Sequence, residues 1–243
     1  MKKIALALAA VVLLIACNKE DHGDANLHIT GHIKGLSQGK LYIQKIVDTS
    51  LVPMDTIIIT DAKKGFESHL KIDSPQMLYL FLDRGQTNSV DNSLPFFAEP
   101  GNMTIESHNE EFFKRAKITG SKNQKLYEDF LKIKSRFTDN NLDLMKDGMI
   151  ASKYGKVAKL DSVLVKQEKL RDRRYFYTLN YAVQHKDYEI APYLGVYEIG
   201  DMNVVFLDTL QKSITPKVAK SLYGKQFNQL MEERKKAATA EIK

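Results

Sequence analysis

The chain has 243 residues, with 36 Lys and Arg against 30 Asp and Glu, a formal net charge of +6, one cysteine and no tryptophan. That length admits one large domain or two small ones, and a lone cysteine excludes an intrachain disulfide. The charge is uneven: residues 27–120 hold ten basic and eleven acidic side chains, whereas residues 121–243 hold 23 and 16.

The N-terminus has a basic start (Lys2, Lys3), an apolar stretch from Ile4 to Ile15, then Ala16 and Cys17. This is the layout of a signal peptide over residues 1–16, too short to span a bilayer, which takes roughly 20 apolar residues. Leu14-Ile15-Ala16-Cys17 resembles the bacterial lipobox, in which cleavage precedes the cysteine and the thiol receives a diacylglycerol. The resemblance implies a lipidation site at Cys17, with no redox role for its sulfur. Each buried acyl CH₂ contributes about 0.8 kcal/mol, so several chains anchor the protein to a membrane. Residues 17–26 then read as lipidated cysteine plus polar tether. Asn18 stands where an aspartate would hold a lipoprotein at the inner membrane, so the expected location is the outer membrane. Lys19-Glu20-Asp21 resembles the charged tethers of surface lipoproteins and leaves both faces open, periplasm and cell surface.

Residues 27–120 read as an antiparallel β-sandwich domain. Leu27, Ile29, Gly31 and Ile33 alternate with His28, Thr30, His32 and Lys34, the period of two that buries one face. Residues 35–39 form a turn into a strand from Lys40 to Val47, with Leu41, Ile43 and Ile46 inward. Further strands are expected over Thr56–Thr60, Phe66–Ile72, Met77–Leu82, Phe96–Glu99, Met103–Ser107 and Lys117–Thr119. Lys64-Gly65 and Glu99-Pro100-Gly101 are turn signals.

Residues 121–243 read as a helical domain, giving an α+β chain. Ser121-Lys122-Asn123-Gln124 fits a capping box, with the Ser121 hydroxyl accepting from the Gln124 N–H and the Gln124 side chain reaching back. Leu126, Phe130, Ile133 and Phe137 form the buried stripe of the helix it starts. A second helix is expected from about Lys156 to His185, with a charged first part that stands proud of the body. A third begins near Ile190, Thr215-Pro216 opens another, and Lys225–Ala240 forms a basic terminal helix.

The strands, then Phe97-Ala98-Glu99-Pro100-Gly101-Asn102-Met103-Thr104-Ile105, then Ile118-Thr119-Gly120-Ser121 leading to Leu126-Tyr127-Glu128-Asp129-Phe130, resemble the domain of unknown function at the N-terminus of many envelope lipoproteins. In that family the β domain and a helical segment precede a thioredoxin-like thiol-disulfide or peroxiredoxin-type domain. The resemblance implies that this chain lacks the redox domain, since no Cys-x-x-Cys follows the terminal helix.

Other chemistry has little support. Ser37-Gln38-Gly39-Lys40 and Ser68-His69-Leu70-Lys71 match S-x-x-K, but in a turn and along a strand, where the one-turn serine–lysine geometry does not arise. His28 and His32 lie about 13 Å apart on a strand at ~3.3 Å per residue and cannot share an ion. His69, His108 and His185 have no partner at ligand spacing, so no metal site is expected. Asp139-Asn140-Asn141-Leu142-Asp143 begins like a calcium loop but lacks the glycine and the distal glutamate, and reads as an acidic interhelical loop. No nucleotide-binding glycine motif occurs, and no cofactor is expected.

Arg171, Arg173, Arg174 and Tyr175 form the one cluster with interface chemistry, because Arg and Tyr most often anchor partner contacts. The alternative is a solvated arginine face. The scattered lysines read as a solvated surface, and an exported location argues against a nucleic-acid partner. Two function classes remain. One is a lipid-anchored, non-catalytic envelope module that binds a partner protein or ligand. The other is a non-catalytic subunit acting in trans with a separately encoded thioredoxin-like oxidoreductase.

Overall fold

The computed structural model describes residues 23–61, 63–85 and 89–240, and the expected signal peptide and Cys17 lie outside them. The chain is α+β: two four-stranded sheets occupy its N-terminal part and helices follow. The strands are β1 (Leu27–Lys34), β2 (Gly39–Val47), β3 (Ser50–Ile59), β4 (Phe66–Leu70), β5 (Gln76–Asp83), β6 (Ser93–Ala98), β7 (Gly101–His108) and β8 (Lys117–Thr119). The helices are α1 (Lys122–Lys153), α2 (Val157–Gln184), α3 (Ile190–Tyr197), α4 (Val204–Ser213), α5 (Pro216–Ala219) and α6 (Leu222–Ala240).

One sheet has the order β4-β1-β7-β8 and the other β3-β2-β5-β6. The expectation of an antiparallel first half is corrected at one pair: β1 and β7 run parallel, from Leu27 opposite Gly101 to Lys34 opposite His108. Parallel neighbours need a long crossover, and here the five strands between them supply it. Asn26, assigned to the tether by sequence, is held by the body, since its side chain donates to Ile72 O at 2.8 Å and accepts from Ile72 N at 3.0 Å.

The alternation of β1 is observed, with Leu27, Ile29 and Ile33 buried. They share one apolar core with Leu41, Ile43, Leu78, Leu80, Leu82, Phe96, Met103 and Ile105, drawn from both sheets. Ile46, expected inward, is 53% exposed. It lies beyond a register shift between Ile43 and Gln44, and with Val47, Leu51 and Val52 it forms the exposed apolar tip of the β2–β3 hairpin. β3 begins six residues before its expected start, because Pro53 masks strand periodicity at an edge position that tolerates it.

β5 and β6 are apolar on both faces. Leu78, Leu80 and Leu82 enter the sheet core, while Met77 and Tyr79 face a second core formed with the helices. Phe97 does the same beside Phe96 and Ala98. Such near-continuous runs are what strands covered on both sides require. Phe130, Leu194, Leu207, Leu210, Phe227 and Met231 complete this second core. Gly195 lets α3 approach α6, since a Cβ there would lie 2.7 Å from the Phe227 ring.

Gly120 joins the two parts with φ +97, and a Cβ there would lie 2.1 Å from the Asn102 carbonyl oxygen, so both conformation and space require glycine. Ser121 then caps α1, its hydroxyl accepting from Gln124 N at 3.0 Å. The reciprocal arm of the capping box is replaced. Gln124 instead accepts the Phe97 N–H at 2.7 Å. Glu99 takes the helix end: one carboxylate oxygen accepts from the Ser121 hydroxyl at 3.0 Å, Lys122 N at 2.9 Å and Asn123 N at 3.2 Å. A carboxylate at a helix N-terminus satisfies orphan N–H groups and complements the dipole.

Residues 139–143 are not an interhelical loop: they lie within α1, which runs without a break to Lys153. No proline or glycine interrupts residues 122–147, so the acidic and amide side chains lie on a helical surface. α4 was not expected, because its Val204-Val205-Phe206 opening has strand-like residues.

Candidate functional site

α1 and α2 form an antiparallel hairpin closed by a turn at Gly155, where φ is +62. Near the body it is tied by aromatic contacts: the Phe130 and Tyr177 rings stack at 6.3 Å, Tyr177 and Tyr181 lie 6.0 Å apart, and Phe137 lies 5.9 Å from Tyr177. The Tyr181 hydroxyl donates to Leu126 O at 2.8 Å. Burial raises the Tyr181 phenol to about 12, with Asp129 adding to the shift. Away from the body, Gly148 and Ala151 are buried and Gly148 sits against Val163, so small residues bring the helices together.

The distal hairpin keeps large apolar side chains in solvent. Leu142, Met149, Val157 and Leu164 are among its exposed residues. An open groove of about 660 Å³ follows the helix seam, lined by Phe137, Thr138, Asn141, Leu164, Gln167, Glu168, Leu170, Arg171 and Arg174. Its lining joins the apolar Phe137, Leu164 and Leu170 to the Asn141 and Gln167 amides, two guanidinium groups and the Glu168 carboxylate, the composition of a contact surface with a few orienting polar groups.

A smaller recess of about 390 Å³ adjoins it, where Arg171, Tyr175 and Phe176 meet Asp201, Met202 and Phe206. The Tyr175 hydroxyl donates to Asp201 at 2.6 Å, and the Phe176 and Phe206 rings meet edge to face at 5.0 Å. Burial and then the Asp201 carboxylate raise the Tyr175 phenol above its ordinary value.

Of the four residues singled out by sequence, three converge here. Arg171 lines both recesses, Arg174 lines the groove with its guanidinium 5.3 Å from the Tyr175 ring centroid, and Tyr175 lines the smaller recess. Arg173 is exposed and lines neither. Positions 171 and 174 share a helix face while 173 falls away from it. Sequence reasoning missed the α1 side of the groove, Phe137, Thr138 and Asn141. Sequence pattern places Asn141 in a loop, whereas it lies on α1 and its side-chain oxygen accepts from Gln167 across the seam at 3.3 Å.

A third cleft, about 730 Å³, lies where the sheets meet the helices. Its lining lysines 122, 217, 220 and 225 are balanced by Asp73, Glu99, Asp187 and Glu189. Its helix N-terminus is already occupied by Glu99. The described chain also brings His28, Glu67 and His69 together on the first sheet. Among the described residues no helix is long and apolar enough to cross a membrane.

No curated protein and no solved structure matches the chain. Residues 27–127, the eight strands and the first turns of α1, match the family model described as a domain of unknown function (DUF4369), and the hairpin groove lies in the part that follows.

Proposed function

We propose that this chain is a lipid-anchored, non-catalytic binding module of the bacterial outer membrane. In this reading the two sheets stack as a β-sandwich that carries the helical hairpin, and the hairpin groove receives a partner protein. Cys17 supplies the anchor through its lipobox-like context. The observation that carries the reading is the seam groove, in which Arg171 and Arg174 line the same surface as Phe137, Leu164 and Leu170. Arginine beside exposed apolar side chains is the composition of interface hot spots. The groove walls offer contact, hydrogen bonding and charge, which serve recognition better than bond-making.

The experiment is co-purification from detergent-solubilised envelopes. The unaltered protein and a Lys63→Glu control should retain the same partner, and a Leu164→Asp/Arg171→Glu variant should lose it. Retention by the groove variant would overturn the assignment. A retained partner with Cys-x-x-Cys in a thioredoxin-like domain would favour the alternative, a non-catalytic subunit acting in trans.

A further inference from the structure

We propose that His28, Glu67 and His69 form a surface site for a divalent transition-metal ion of the zinc type. The site arises from strand register. His28 on β1 stands directly opposite His69 on β4, and Glu67 stands opposite Thr30, one diagonal step away on the same face. Directly opposed residues of an antiparallel pair have Cβ atoms about 4.5–5.5 Å apart, so three ligand-type side chains crowd one spot. Their burial is graded: the His69 side chain is 20% exposed, His28 34% and Glu67 57%.

The distances suit coordination. Glu67 Oε1 lies 2.7 Å from His28 Nε2 and 3.3 Å from His69 Nε2. All three ligand atoms fall within 4.8 Å of one another. Zinc bonds of about 2.0–2.1 Å at tetrahedral angles place ligand atoms roughly 3.3 Å apart, so the spacing of the ligand atoms is already close to that of a zinc site. The imidazoles stack with centroids 4.3 Å apart and planes 8° apart, and both Nε2 atoms face the same Glu67 oxygen. Binding splays the rings until both lone pairs converge, and their partial exposure leaves room for that rotation. Each Nε2 that faces Glu67 gives up any proton it carries, and the neutral ring keeps its proton on Nδ1.

Two imidazole nitrogens and one carboxylate oxygen select Zn²⁺ and its borderline neighbours over Ca²⁺ and Mg²⁺, which prefer oxygen shells. The open side leaves a fourth position for water. β4 is an edge strand of its sheet, so an ion here ties that edge to β1. Lys71, two residues beyond His69, is engaged by Asp24, which draws its ammonium charge toward that carboxylate. A metal-free hydrogen-bonded stack of two histidines on a glutamate is the competing account.

The test is Zn²⁺ titration of the untagged full chain in detergent by competition with a chromophoric chelator. One equivalent should bind. His69→Ala and Glu67→Gln should weaken it by about tenfold to a hundredfold or more, while His32→Ala, on the same strand, should leave it unchanged. Co²⁺ should give tetrahedral visible absorption that His69→Ala abolishes, and circular dichroism should show the variants folded. Absence of stoichiometric binding, affinity indifferent to His69→Ala and Glu67→Gln, or equal affinity for Ca²⁺ would each overturn the site.

Discussion

Gln124 Oε1 accepts the backbone N–H of Phe97 at 2.7 Å, so the residue whose own N–H the α1 cap accepts also closes the outer edge of β6. β6 ends its sheet, where unpaired N–H groups would otherwise invite another strand. Pro95, two residues earlier and of the same parity, has no N–H to offer. One proline and one glutamine thus seal the edge and lock the helical part to the strands. Gln124→Leu should therefore destabilise the protein by about 1–3 kcal/mol, since it leaves a buried donor unsatisfied. Urea denaturation checks this, and a loss under about 0.5 kcal/mol would contradict it.

Glu99 and Ser121 act together at the start of α1. Ser121→Ala should cost about 1 kcal/mol as a lost N-cap. Glu99→Ala should cost about 1–2 kcal/mol, because one oxygen serves the Ser121 hydroxyl, two backbone N–H groups and, at 3.5 Å, the Asn123 amide. Glu99→Gln, which keeps an acceptor without the charge, should fall between the unaltered protein and Glu99→Ala. The two alanine variants combined should cost less than their sum, because the Ser121 hydroxyl bridges both. Additive costs in a double-mutant cycle would show the two caps to be independent.

The aromatic cluster makes stability sensitive to alkali. Burial raises the Tyr181 phenol to about 12 and pushes Tyr193 and Tyr223 higher still. Tyr223 also accepts the Met77 N–H at 2.8 Å, and its ring lies 5.0 Å from that of Tyr193. These phenols are protonated in both folded and unfolded chains below about pH 10, the ordinary tyrosine value. Between pH 10 and their folded values only the unfolded chain releases the protons freely, so stability is complete below pH 10 and falls as pH rises above it. Tyr193→Phe should reduce that slope while changing stability at pH 7 much less. A slope unchanged by Tyr193→Phe would show that this phenol does not contribute.

The signal at Cys17 predicts that Cys17→Ala abolishes acylation, and that the protein then appears in soluble fractions or as uncleaved precursor. Membrane fractionation with mass measurement decides it. A fully processed alanine variant that stays with the membrane would contradict the lipobox reading.

Local patterns were legible in sequence and long-range pairings were not. The alternation of β1, the Ser121 cap and the extent of α2 are set by neighbours within a few residues, and periodicity or cap chemistry reveals them. Glu99 lies more than twenty residues from the N–H groups it satisfies, so nothing local marks it as a cap. The His28–Glu67–His69 cluster depends on the β1–β4 register, which no spacing within either strand discloses. The runs Met77–Leu82 and Phe96–Ala98 read as strands, but their burial on both faces follows only from the helices that cover them. The arginine cluster was visible as a cluster. Which of its members face the groove depends on the hairpin partner, and α1 was expected to be interrupted where it runs straight through.

The most direct test of the groove as a partner site is site-specific photo-crosslinking in intact cells. A photoreactive residue is placed at Thr138 or Gln167 in the groove, and at Lys63 on the β part as a control. The groove positions should each give the same discrete adduct, the adduct should disappear when Arg171→Glu is added, and the control should give none. Adducts from Lys63 alone, or groove adducts indifferent to Arg171→Glu, would contradict it.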